Sequence, residues 1–170
     1  MGSLFAMRGA LKLIYDQSRS LLLAIKDNKG RVLHDLRDGN MVLDDLDLSG
    51  AQLSGIIAEG LCCMDTKFVR ADLSRADLYW AMAQGADFGE ADLSDASLRG
   101  ANLKGCNFRS ANLANADLST DNLGGPVRLQ GAVLQGANLK GAKLDGSEFD
   151  HETLFPDDFD PMAHGMKRVD

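Results

Sequence analysis

Aromatic side chains make up only 6 % of this 170-residue chain, which has three cysteines, three prolines and a single tryptophan. So few rings exclude an ordinary mixed core built on bulky groups, although a hydrophobic content of 45 % is normal for a folded protein and argues against disorder. Three cysteines, two of them adjacent (Cys62 and Cys63), do not form a disulfide framework. No run of 18 or more apolar residues occurs, so no membrane span or membrane partner is expected. The start MGSLFAMRGALKLI lacks a secretory cleavage site, and Ala6 breaks the myristoylation pattern, which leaves a cytoplasmic location as the expectation. G-x-x-x-x-G-K-[ST], G-x-S-x-G and H-E-x-x-H are all missing, and His34, His151 and His164 have no second His or Cys at ligand spacing. No catalytic residue, metal or cofactor is therefore expected.

The net charge of −7 is unevenly distributed. Residues 1–40 carry seven Lys/Arg against four Asp/Glu, whereas residues 41–160 carry nine against twenty, a local balance of −11. An acidic body is a poor ligand for phosphate backbones, so direct nucleic-acid binding is not expected.

What the chain does have is a five-residue period. ADLSR ADLYW, ADLSD ASLRG, ANLKG CNFRS and ANLAN ADLST follow one another, with Leu or Phe in the middle of nearly every block. The centres run from Leu43 in steps of five to Leu123, then from Leu129 to Phe159 after one extra residue, twenty-four blocks in all. Only Ala58, Cys63 and Ala83 depart from Leu or Phe at the centre. Two residues earlier the slot is small, usually Ala. A helix needs a period near 3.6 and a strand a period of 2, so five fits neither. The solution is a chain that turns a corner every block and coils upon itself, each coil burying its centres against the next. Where a centre shrinks, the small slot grows: Ile56 precedes Ala58 and Leu61 precedes Cys63, which reads as constant volume in a close-packed tube. Cys63 and Cys106 are accordingly read as core thiols.

This A(D/N)LXX pattern resembles the pentapeptide-repeat family over residues 41–159. The resemblance implies an all-β fold, a right-handed four-sided parallel β-helix of about six coils. The Phe spacing agrees with four sides: Phe68, Phe88 and Phe108 lie twenty apart, and with one inserted residue the same column continues through Leu129 to Phe149. These rings form the expected structural core. Residues 1–40 are expected to be an N-terminal extension, with a hairpin-like cap from runs Leu21–Lys26 and Arg31–Leu36, and residues 4–18 a short helix or further strand. Residues 41–160 form the β-helix and 161–170 a C-terminal tail that folds over the last coil or stays mobile.

Function must lie where the pattern breaks. Tyr79, Trp80 and Met82 should all point outward, with Cys62 one coil below Met82, making a candidate interaction patch for an unidentified protein partner or a weak homodimer. The alternative is that Trp80 folds over its corner to cover Ala83. Gly124-Gly125-Pro126 marks a one-residue bulge. The leading expectation is a non-enzymatic scaffold for protein–protein interaction. The family resemblance implies a second reading, a DNA-mimicking regulator or protector of DNA gyrase or topoisomerase IV, as in the Qnr and MfpA members. Asp145, Glu148, Asp150, Glu152, Asp157, Asp158 and Asp160 would form its acidic end. Against it, the tail Met162–Asp170 is too short for a stable dimerising helix.

Overall fold

A computed structural model describes residues 24–26, 29, 32–35 and 43–170 of the chain. From Leu43 onward each block lays down a short extended segment and then a two-residue corner. The corner closes when the first residue of the next block donates back to the previous centre, as in Ala71 N–H to Phe68 O at 2.9 Å and Ala91 N–H to Phe88 O at 3.0 Å. The second corner residue has positive φ, +68° at Gly100 and +57° at Trp80. That is the type II geometry, which favours glycine. The recurrent block-final glycines are therefore corner residues.

Successive coils are joined by parallel bridges twenty residues, or four pentads, apart: Cys62 with Met82, Asp72 with Asp92, Asp87 with Asn107. The Asp or Asn before each centre has a local task as well. Its Oδ1 accepts the N–H two residues on, at 2.9 Å for Asp92 with Ser94 and 3.1 Å for Asn107 with Arg109. Asp and Asn share that oxygen, and so they interchange. Centres and small slots point inward and form one continuous core. Phe68, Phe88 and Phe108 stack with centroids 5.1 Å apart and planes within 7° and 4° of parallel.

The sequence register fails at one corner. Across it the bridges span twenty-six residues: Asn102 with Arg128, Asn107 with Val133 and Asp117 with Lys143. Six residues, not one, are inserted, and Leu123 is 83 % exposed rather than a core centre. Leu129 therefore stacks on Leu103, and Phe149 on Leu129. The Phe column continues through Leu134 instead, whose N–H bonds Leu154 O, and on to Phe155. A second irregularity, twenty-one residues between Val133 and Leu154, leaves Leu154 exposed and brings Phe155 into the centre slot. Phe149 is buried as expected, but in a neighbouring column, edge-on to Phe155 at 5.3 Å.

The described coils end under their own tail. Met162–His164 makes a single 3-10 turn, and His164 stacks on Phe159 at 4.4 Å. Of the four short strands among the described residues, β1 (Ala24–Lys26) and β2 (Val32–Asp35) pair antiparallel, and β3 (Glu148–Phe149) pairs in parallel with β4 (Lys167–Arg168). Between turn and β4, Met166 is buried at 2 % exposure. The tail therefore lies folded on the rod. The helix or strand expected at residues 4–18 lies outside the described residues.

Constant volume holds at Cys63, where Leu61 is buried beside it, but not at Ala83, whose small slot is also alanine. There an apolar-lined void of about 10 Å³ lies among Leu61, Cys63, Phe68, Ala81, Ala83 and Leu103. Ala83→Val is expected to raise stability by about 0.5–2 kcal/mol, as cavity filling commonly does. A lower thermal midpoint in that variant would mean that the walls cannot yield to two methyl groups.

Candidate interaction surface

Each face of the rod shows one outward side chain per coil. One face reads Gln52, Asp72, Asp92, Asn112 and Asn138, all polar, and hydrogen bonds link the last three, Asn112 Nδ2 donating to Asp92 Oδ1 and Asn138 Nδ2 to Asn112 Oδ1, each at 3.0 Å. The face beginning Cys62 and Met82 is different. Met82 is 44 % exposed directly above the half-buried Cys62. The corner leading onto this face carries Tyr79 and Trp80, their rings stacked at 5.1 Å, with Trp80 also 44 % exposed. The coil thus brings Cys62 beneath Met82 and sets the stacked Tyr79 and Trp80 at the adjoining corner.

Trp80 does more than face solvent. Its ring lies over Gly100, the corner residue one coil above, where a Cβ would overlap the indole. Its Nε1–H donates to Asp121 Oδ2. Folding over the corner is thus realised, onto Gly100 and the inserted loop rather than onto Ala83.

The loop itself is built around Asp121, which sequence reasoning missed. Asp121 Oδ1 accepts the N–H groups of Leu123 and Gly125, both at 2.7 Å. Asp121 N–H donates to Gly125 O at 2.8 Å, and Gly124 N–H to Asp121 O at 3.1 Å. Arg99 ties the loop to the coil below, its Nε to Thr120 O and its Nη2 to Asn122 Oδ1, each at 3.0 Å. The available signal was Asp121-Asn122 before Gly124-Gly125-Pro126, a turn sequence whose first carboxylate can bind the loop backbone.

The Trp80 indole N–H, followed by the Gly125 backbone N–H, holds the Asp121 carboxyl below its ordinary value of 3.8. A depressed carboxyl stabilises the folded form above its unfolded pKa, and this is lost as pH falls through the folded value. Acid titration from pH 6 downward is expected to leave Trp80 emission constant until below about pH 4, where protonation releases the indole. The chain has a single tryptophan, so the signal is unambiguous. Asp121→Asn should abolish that acid step, and an unchanged step in the variant would assign it elsewhere.

The thiols divide as expected. Burial pushes Cys106 up to about 12, with its Sγ 2.9 Å from Ala83 O, and Cys63 is raised further by the same cause. Both are core groups.

The seven acidic residues near the far end differ in their local partners. Asp150 is turned into the backbone, accepting the N–H groups of Gly131 at 2.9 Å and Glu152 at 3.0 Å. Asp160 binds the N–H of Met162 at 3.0 Å. Glu148 accepts Gln130 Nε2 at 3.2 Å and is in register with Lys167 of β4. Asp145, Glu152, Asp157, Asp158 and Asp160 are exposed, and Glu148 and Asp150 are half-buried. Among the described residues no group of three or more His, Cys, Asp or Glu is arranged to hold a metal ion, and no helix is long and apolar enough to cross a membrane.

Comparison with known proteins follows this architecture. The family model for pentapeptide repeats matches in eight copies over residues 86–120 and 127–151. The gap between the two matched stretches is the inserted loop. No curated protein matches the sequence. A pentapeptide repeat protein from Nostoc PCC 7120 is 38 % identical over 61 % of this chain and 84 % of its own, with a TM-score of 0.32. Rfr23, a pentapeptide repeat protein from the cyanobacterium Cyanothece 51142, is 31 % identical over 59 % of this chain, with a TM-score of 0.48. The chain spans 64 % of Rfr23, just under two thirds. QnrB1, a plasmid-mediated fluoroquinolone resistance protein, is 20 % identical over 74 % of this chain and 83 % of its own, with a TM-score of 0.39.

Proposed function

Because this chain belongs to the pentapeptide repeat family, with its right-handed β-helix fold, we propose that it is a non-enzymatic cytoplasmic scaffold that binds another protein through the Cys62–Met82 face and its Tyr79–Trp80 corner. The same reading takes the rod as about six coils capped at its start by the β1–β2 hairpin. One observation carries the functional reading: exposed apolar side chains gather at this edge, while the Gln52–Asn138 face is polar throughout. Clustered exposed apolar groups are typical of interaction sites. The described interior is packed with Leu, Phe and Ala, and the void beside Ala83, at about 10 Å³, is far too small for a substrate.

Affinity capture from the protein's own cells, with wild type, Met82→Glu and Asn112→Glu as baits, tests it. Met82→Glu should lose the captured protein while Asn112→Glu retains it, both folding normally. Equal capture by all three would remove this face from consideration.

The second reading, a DNA-mimicking regulator of a type II topoisomerase, draws support from the −11 balance of residues 41–160. Against it, β4 lays Lys167 and Arg168 along the acidic end. A gyrase supercoiling assay with and without a quinolone decides: neither inhibition nor protection at micromolar protein would end it. Sedimentation tests the accompanying weak homodimer.

A further inference from the structure

The last coil is closed by later residues at several places. Leu134 N–H donates to Leu154 O, Gly146 N–H donates to Gly165 O, and β3 pairs with β4. The side formed by residues 137–141 is different. One coil below it, Leu113 N–H donates to Asn138 O, Asn138 N–H to Ala111 O and Asn115 N–H to Lys140 O, each at 2.9 Å. The equivalent groups in the last coil are Leu139 N–H, Ala137 O and Gly141 N–H. Among the described residues none of the three has a backbone partner. The apolar column also ends open here: Leu139 is half-buried, whereas Leu93 and Leu113 beneath it are at 0 % exposure.

We propose that this side takes an extended segment of a partner protein as one further parallel rung, and that the segment reads small residue, asparagine, leucine. The site is separate from the Cys62–Met82 face and goes beyond the scaffold reading.

The backbone selects the shape of the occupant. Donors and an acceptor stand in coil register, and an extended chain is what pairs with such an edge. The side chains select its sequence. Asn112 Nδ2 donates down to Asp92 Oδ1, and Asn138 Nδ2 donates down to Asn112 Oδ1, each at 3.0 Å. At the top of that ladder Asn138 Oδ1 accepts the Lys140 N–H at 3.2 Å. A carbonyl oxygen has a second lone pair, which calls for an amide donor on the next rung. Asparagine supplies one, whereas aspartate would set a carboxylate against that oxygen. The residue before it must be small to lie over Ala137, and a leucine after it continues the column above Leu139.

A second copy of this chain does not meet these demands. Its own Ala-Asn-Leu triplets, at 101–103, 111–113 and 137–139, are already rungs: Asn102 N–H is bound to Ala81 O, Asn112 N–H to Ala91 O and Asn138 N–H to Ala111 O. Two copies meeting edge to edge would also oppose the exposed Lys140 and Lys143 of each.

Amide hydrogen exchange, read by NMR on the full chain, is the first test. Leu139 and Gly141 should exchange at least about a hundredfold faster than their paired counterparts Leu113 and Asn115. Equally slow exchange at all four would mean that the side is already covered, and overturns the proposal. The probes are then the end-capped peptide Ser-Ala-Asn-Leu-Ser, the same peptide with aspartate in place of asparagine, and the same peptide methylated on the asparagine backbone nitrogen. The first should slow exchange at Leu139 and Gly141, and the other two should bind about tenfold more weakly. Asn138→Ser should erase the preference for asparagine over aspartate while melting close to wild type. Persistence of that preference in the variant, equal affinity of the three peptides, or no binding at millimolar peptide each overturns the proposal. Sedimentation of the free chain completes the test: a monomer agrees, and self-association that slows the same two amides would make a second copy the occupant and overturn the assigned partner.

Discussion

Phe88→Ala is expected to destabilise the protein by about 3–5 kcal/mol, read as a lower midpoint in urea. Phe88 is 1 % exposed and lies between Phe68 and Phe108, with a 5.1 Å centroid separation on each side. Truncation removes two near-parallel stacking contacts, each worth about 0.5–1.5 kcal/mol, together with the buried area of the ring. The cavity cannot collapse easily, because the backbone around it is fixed by bonds such as Phe88 N–H to Asn107 O at 2.7 Å. Asp92→Asn, one block away, is the control: Asn keeps the oxygen that Ser94 N–H and Asn112 Nδ2 use, so the expected change is close to zero. Comparable losses in the two variants would contradict the inward and outward assignment of the slots.

Met166→Ala is expected to cost about 2–5 kcal/mol, the usual range for a buried methionine. For a domain of this size that lowers the thermal midpoint by roughly 4–20 °C. Met166 is 2 % exposed and belongs to the core, although it lies in the tail. Its neighbours secure it there: Gly146 N–H donates to Gly165 O at 2.9 Å and Lys167 N–H to Ser147 O at 2.8 Å. Removing residues 161–170 altogether should do more than destabilise. It uncovers the last rung of backbone donors and acceptors, and an open sheet edge recruits other chains. Gel filtration of the truncated protein should show soluble aggregates, and a monodisperse profile would mean that the tail is no cap.

The period of five announced the coil because every block repeats the same inward pair, as Ala91 with Leu93 and Ala101 with Leu103. The four-pentad turn was legible in Phe68, Phe88 and Phe108, since aromatic rings stack only when their columns align. The column beyond Phe108 was not legible. Leu123 falls on a five-residue step by coincidence, and an apolar residue at the expected spacing looks the same in sequence whether it is buried or displayed. Only the bridges, twenty-six residues apart across the insertion, separate the two cases. The Cys62 and Met82 pairing could be read from their spacing, because register fixes it. The indole bond to Asp121 could not, because it joins residues forty-one apart through the width of a loop.

A rod of near-identical coils has a particular hazard while it forms. Each coil closes a loop of only twenty residues, so any coil can nucleate at modest entropic cost. By the same token a strand can dock one coil too far along, Phe68 against Phe108 with the turn between them extruded, and the Ala and Leu slots would scarcely register the error. Arg99, Gly100, Trp80 and the six extra residues remove that ambiguity at one corner, because the Trp80 indole and the Arg99 guanidinium meet Asp121, Thr120 and Asn122 only when the neighbouring coils are correctly counted. The inserted loop then acts as a key that numbers the coils, and a shifted pairing across it forfeits its bonds to Trp80 and Arg99 at once. In a landscape otherwise crowded with near-equivalent alignments, one irregular corner supplies the energy gap that singles out the native one.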